Sequence, residues 1–187
     1  MLNHLIPDLK GVSIFLVGMM GVGKTTVGKR LAQFLNYGFC DTDSLIEAVT
    51  HQSIKQIFTE QGEEHFRSIE QMVLVQVSAY PRLVVATGGG IVLRSENWAH
   101  LHHGLVVWLD LDMASIVTRL QADPEQMHQR PLLQSADPLP VLHKIYQNRL
   151  PYYAQADIHL DARGTPEEIC ERLFSLLPKV LKPSLNS

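Results

Sequence analysis

The segment Gly18-Met19-Met20-Gly21-Val22-Gly23-Lys24-Thr25 packs three glycines, a lysine and a hydroxyl into eight residues. The spacing matches G-x-x-x-x-G-K-[ST], in which the glycines let the backbone curl until several N–H groups face one point. A helix N-terminus behind such a nest adds further attraction for an anion, so the chemistry is phosphate binding. Lys24 supplies a mobile cation for the β- and γ-phosphates of a nucleoside triphosphate, and the Thr25 hydroxyl can ligate Mg2+. The nucleotide loop is read as Gly21, Val22, Gly23, Lys24, Thr25 and Thr26, with Thr26 itself a solvated helix position.

These residues need a strand before them and a helix behind them. Val12–Val17 reads as a buried strand, and Val27, Leu31, Phe34 and Leu35 then fall on one helical stripe. Further strands are expected at Tyr37–Cys40, Arg82–Ala86, Leu105–Leu109 and, more weakly, Ile158–Leu160. Helical periodicity is longest from about Gly62 through Phe66, Ile69, Val73 and Val77, and a last helix runs from Pro166 to about Leu177. Strands alternating with helices argue for an α/β fold, a parallel sheet with helices on both faces. Ligands then sit at the C-terminal strand ends, where the loops 18–26, 41–43 and 87–90 all fall. Pro124, Pro131, Pro138, Pro140 and Pro151 make the stretch 123–151 read as a surface excursion able to act as a lid.

A phosphate loop alone does not separate kinases from GTPases or motor ATPases. The chain has no N-K-x-D segment for guanine and no L-S-G-G-Q signature, which leaves a small-molecule kinase. Three further segments are positive evidence: Phe39-Cys40-Asp41-Thr42-Asp43, Gly62-Glu63-Glu64-His65-Phe66-Arg67-Ser68-Ile69-Glu70 and Thr87-Gly88-Gly89-Gly90. In that order after the phosphate loop, and followed by Arg130-Pro131-Leu132-Leu133 and Arg149-x-x-Tyr152-x-x-x-Ala156, they resemble the shikimate kinases. The resemblance runs from about Leu9 to Leu177.

It implies the nucleoside-monophosphate-kinase-like fold, with a five-stranded parallel sheet and a lid over about 123–138. It also implies transfer of the γ-phosphoryl group of ATP, with Mg2+, to the 3-hydroxyl of shikimate on the route to chorismate and the aromatic amino acids. The acceptor's carboxylate would be gripped by Arg67 and Arg149, whose guanidinium forks match a planar carboxylate. Glu70, on the same helix face as Arg67, would orient it. Asp43 would accept the substrate hydroxyls and act as general base, and Asp41 would hold Mg2+ through water or else cap the following helix. Gly89 and Gly90 would touch substrate, and Thr87 would sit near the metal or the γ-phosphate. Arg130 would close with the lid over the transferring phosphate, and Arg163-Gly164-Thr165-Pro166 would pack on adenine. Catalysis would thus rest on Lys24, Asp43 and Arg130.

Two features depart from the pattern. Where many family members carry a second lid arginine, this chain reads Ala122-Asp123-Pro124-Glu125, with Arg119 earlier. Val106-Val107-Trp108-Leu109-Asp110 also looks like a Walker B strand, although the resemblance assigns the metal side to Asp41 and the Thr87 loop. A kinase for another small hydroxy acid such as gluconate, and a non-catalytic relative, are the alternative readings.

Composition agrees with a single enzyme domain. The 187 residues are 45% hydrophobic and 19% charged, with sixteen basic residues against nineteen acidic and a net charge of −3. No basic patch suits nucleic acid, and no apolar run reaches the ~18 residues of a membrane span. Cys40 and Cys170 form no C-x-x-C pair and the nine histidines show no metal-ligand spacing. A cytoplasmic, monomeric enzyme is expected, with a core over about 9–177 and a frayed tail over 178–187.

Overall fold

The computed structural model describes residues 9–122 and 139–180. Ile14 to Val17 form strand β1 (Ile14–Val17), and none of the four is accessible to solvent. Side chains alternate across a strand, so burial at every position means cover on both faces. β3 (Leu83–Ala86) and β4 (Leu105–Asp110) are nearly as buried. The less buried β2 (Gly38–Asp41) and β5 (Ile158–Asp161) are the edges of a five-stranded sheet in the order β2-β3-β1-β4-β5. Every pairing is parallel, as the alternation of strands and helices implied.

The helices are α1 (Lys24–Leu35), α2 (Thr42–Thr50), α3 (Ile54–Ser78), α4 (Ser95–Leu101), α5 (Met113–Gln121), α6 (Leu139–Tyr153) and α7 (Pro166–Val180). α1 and α7 meet through Phe34 and Phe174, edge to face at 6.0 Å. Because β2, β3 and β1 are neighbours, the loops leaving their C-terminal ends lie side by side, and these are the three loops that carry the chemistry.

The elements differ from expectation in three places. The helix read from Gly62 begins at Ile54, opened by a Ser53/Gln56 capping box; Gly62 (φ 85°, ψ 170°) breaks it, a conformation that glycine adopts at little cost. The proline-rich excursion does not reach 151. Residues from Leu139 form α6, with Pro140 in its first turn, where the N–H has no helical partner, and Pro151 in its last, where the lost bond affects only the helix end. Leu142 and Tyr153, fully buried, anchor it. Likewise α7 continues past Pro178 to Val180, so the helix ends later than Leu177. The expected lid over 123–138, with Arg130, lies outside the described residues. Among the described residues no helix is long and apolar enough to cross a membrane.

Candidate active site

One open cleft of about 1040 Å³ runs along the C-terminal edge of the sheet, bounded by the phosphate loop, the Asp41–Ser44 segment, α3 and the glycine loop after β3. At one end, α1 starts at Lys24 directly after Gly23 with no side-chain cap. Its first-turn N–H groups are therefore left for a ligand of the loop. Lys24 Nζ donates to the carbonyls of Gly18 and Met19, each at 2.8 Å, so the ammonium lies across the loop it serves. Gly21, Gly23, Lys24, Thr25 and Thr26 line the cleft. Val22 is buried, and its carbonyl accepts from Arg119.

The Thr25 hydroxyl donates to Asp41 Oδ2 at 2.7 Å, while Asp41 Oδ1 accepts from the N–H groups of Asp43 (3.1 Å) and Ser44 (3.3 Å). Asp41 thus caps α2 with one oxygen, the second of the two roles expected of it, while its other oxygen accepts from Thr25. Two hard oxygens at that spacing suit Mg2+, which keeps several waters and takes phosphate oxygens for the rest. Among the described residues no group of three or more His, Cys, Asp or Glu could hold a metal, so an all-protein cage is not built here. Thr87 lines the cleft, but its hydroxyl donates to the Leu16 carbonyl (2.9 Å) and ties β3 to β1.

At the other end, side chains from three elements converge on the glycine loop. A Cβ at Gly88 would stand 2.6 Å from Glu70 Oε1 and 2.8 Å from Asp43 Oδ1. One at Gly90 would stand 2.7 Å from Arg67 Cζ, so only glycine lets the guanidinium lie this close to the backbone. Arg149 Nη1 donates to the Gly89 carbonyl at 2.9 Å. Arg67 Nη1 donates to Glu70 Oε2 at 2.8 Å and Nη2 to Glu63 Oε1 at 3.2 Å, and its Cζ lies 5.1 Å from the Phe66 ring centroid. Asp43, Arg67, Gly89, Gly90 and Arg149 are thus brought to one place. Glu70 sits beneath them as the orienting partner that its spacing suggested.

Burial works against the Arg67 charge, but Glu70 and then Glu63 outweigh it and raise the guanidinium's pKa. Glu70 fares differently. It is fully buried, and burial pushes its carboxyl above the ordinary glutamate range; Arg67 pulls it back, Asp43 adds to the rise and Arg149 opposes it. The unfolded chain releases this proton at the ordinary value, the folded chain only at higher pH. Stability from Glu70 is therefore greatest below the ordinary value and is lost as pH rises toward the folded one. The melting temperature of Glu70→Gln is expected to gain on that of the wild type as pH is raised from about 4 to about 8. Thermal melts across that range check it, and parallel curves would refute it.

Two residues that sequence reasoning left without a role join the site's parts. Arg119, on α5, donates to Val22 O (2.8 Å) and Ala162 O (3.2 Å), clasping the phosphate loop to the segment before α7. Thr42, between the two aspartates and fully buried, accepts the Gly88 N–H at 2.9 Å and so ties the acidic segment to the glycine loop. Its only signal in the sequence is that position. Arg163 is not in the main cleft: Asp161 holds its side chain, with Nε at 2.8 Å, and Arg163 in turn keeps the Asp161 carboxyl down at about 2. Gly164 and Pro166 of the same segment do line the cleft. Asp110 also lies outside it, beside His159 (2.9 Å) and Tyr146 (3.4 Å), so the Walker B likeness does not put that carboxylate at the phosphates.

Known proteins resemble this chain over nearly its whole length. The shikimate kinase family model matches residues 20–178. A shikimate kinase of Nostoc punctiforme is 52% identical over 180 residues, covering 95% of this chain and 97% of that protein. One from Trichormus variabilis is 52% identical over 176 residues, covering 93% and 95%. Among solved structures, shikimate kinase from Acinetobacter baumannii in complex with shikimate superposes with a TM-score of 0.86 at 35% identity, covering 93% of this chain and 97% of that one. A gluconokinase from Sinorhizobium meliloti, at 15% identity and a TM-score of 0.53, shares the fold alone. With the phosphate loop, the paired aspartates, the two arginines and the glycine loop gathered in one cleft, and with relatives alike over nearly their whole length, the chain belongs to the shikimate kinase family.

Proposed function

We propose that this chain moves the γ-phosphoryl group of ATP to the 3-hydroxyl of shikimate, releasing ADP and shikimate 3-phosphate. The observation that carries this reading is the division of the cleft. A phosphate cradle stands at one end, and two guanidiniums with a carboxylate stand at the other, around a glycine loop with no side chains in the way.

Such a transfer needs charge neutralisation and in-line placement more than covalent chemistry. The nucleotide's β- and γ-phosphates take the N–H groups of residues 21–26 and the Lys24 ammonium. Adenine lies against the segment of Arg163, Gly164 and Pro166, which Arg119 holds to the phosphate loop. Thr25 and Asp41 would hold Mg2+, Asp41 through water; when bound, the ion neutralises charge on the triphosphate. Arg67 and Arg149 grip the acceptor's carboxylate, and Gly89 and Gly90 offer backbone to it. Asp43 takes the hydroxyl proton as the hydroxyl oxygen attacks. Arg130, outside the described residues, is assigned to the transferring phosphate.

The test is a coupled ADP-release assay with Mg2+ and ATP, run with shikimate and with gluconate. Turnover with shikimate alone is expected. Turnover with gluconate but not shikimate, or with neither, would overturn the assignment.

A further inference from the structure

The Gly89 carbonyl accepts two hydrogen bonds from α6: one from Arg149 Nη1 at 2.9 Å, the other from the Tyr153 hydroxyl at 2.8 Å. The two donors are four residues apart and so share a helix face. Tyr153 is the largest fully buried side chain among the described residues. Its ring stacks on Trp108 of β4 (5.7 Å, 20°), and Trp108 in turn stacks on His159 of β5 (4.0 Å, 10°). The phenol is thereby fixed from the sheet, not only from its own helix. Burial raises its pKa, with Arg149 opposing, so the hydroxyl keeps its proton and remains a donor.

The consequence falls on the next peptide unit. No peptide bond among the described residues is cis, so the Gly89 carbonyl and the Gly90 N–H point in opposite directions. Pulling the carbonyl toward α6 turns the Gly90 N–H away from α6. That N–H makes no hydrogen bond among the described residues, and its glycine lies against the Arg67 guanidinium. A donor left open beside two arginines suits an anionic or hydroxylated acceptor. Sharing the carbonyl with Tyr153 also lets Arg149 keep its other N–H groups for a carboxylate.

We infer that Tyr153 is a positioning residue for the phosphoryl acceptor: its hydroxyl sets the orientation of the Gly89–Gly90 peptide, and through it the donor that meets the hydroxylated carboxylate. This rests on the functional reading above. Among the described residues the Tyr153 hydroxyl donates to Gly89 and the ring stacks on Trp108, neither of them a residue of the phosphate loop.

Tyr153→Phe keeps the ring and its stack and removes only the hydroxyl. Losing one hydrogen bond of about 1 kcal/mol corresponds to a rise of roughly five- to tenfold in KM for shikimate. KM for ATP is expected to stay within about twofold, because the lost hydroxyl donates to Gly89 and not to a residue of the nucleotide loop. A second readout needs no substrate. A hydrogen bond to a carbonyl polarises the amide that follows it, so the Gly90 amide nitrogen resonance of a glycine-labelled sample is expected to move in Tyr153→Phe. An unchanged KM for shikimate, equal rises in both KM values, or an unmoved Gly90 resonance would each overturn the inference. If the wild type itself fails to turn over shikimate, the functional reading falls, and the Gly90 resonance still decides whether Tyr153 orients the peptide.

Discussion

Lys24→Ala is expected to cut turnover by roughly 10³-fold or more while leaving shikimate affinity almost unchanged. The ammonium is the one cation that the phosphate loop itself carries, and it already sits over the loop, 2.8 Å from the carbonyls of Gly18 and Met19. Charge develops on the transferring group and on the β-phosphate as the bond breaks, so the cation is worth more at the transition state than in the resting complex. A 10³-fold loss is about 4 kcal/mol of barrier. The two backbone hydrogen bonds lost from the folded state are worth only about 1–3 kcal/mol together, and that loss appears in thermal melts, not in the rate per folded molecule. Single-turnover rates at saturating ATP, beside calorimetric titration of shikimate, separate the two. A variant that loses shikimate binding as steeply as rate would place Lys24 on the wrong side of the cleft.

Asp43→Asn is expected to bind shikimate within a few-fold of the wild type yet lose roughly 10²–10⁴ in turnover, the usual contribution of a positioned base. Asparagine has the same shape and can still accept hydrogen bonds, but it takes up no proton. On the proposed reading, binding is held elsewhere: the acceptor's carboxylate is assigned to Arg67 and Arg149, whose side chains hydrogen-bond Glu70, Glu63 and Gly89. Removing the Asp43 charge also removes one of the influences that raise the Glu70 pKa, so the pH dependence of stability should weaken in the same variant. Stopped-flow rates and titration calorimetry decide the matter, and wild-type turnover in Asp43→Asn would end the general-base assignment.

The phosphate loop was legible because everything it needs lies within eight consecutive residues, between an apolar run and a helical stripe. The sheet was legible for a similar reason: strands buried on both faces are continuous apolar segments, and β1, β3 and β4 are such segments. α6 was read in part as an excursion because proline density outweighed periodicity. Pro140 and Pro151 occupy its two end turns, and helix ends cannot be located from composition. The extra turns from Ile54 were missed because Gly62 conceals the capping box ahead of it.

From its sequence alone, this chain is determined to cradle phosphate, to alternate strands with helices and to carry acid and arginine in loops at the strand ends. Only the tertiary structure decided which of those groups meet. Arg119 joins carbonyls 97 and 43 residues away, and Tyr153 reaches Gly89 across 64. Arg163 turns to Asp161 two residues off instead of entering the cleft. The physical reason is range. Backbone curvature and strand burial follow from neighbouring residues, whereas a hydrogen bond between distant segments exists only once the strand order has set their loops side by side.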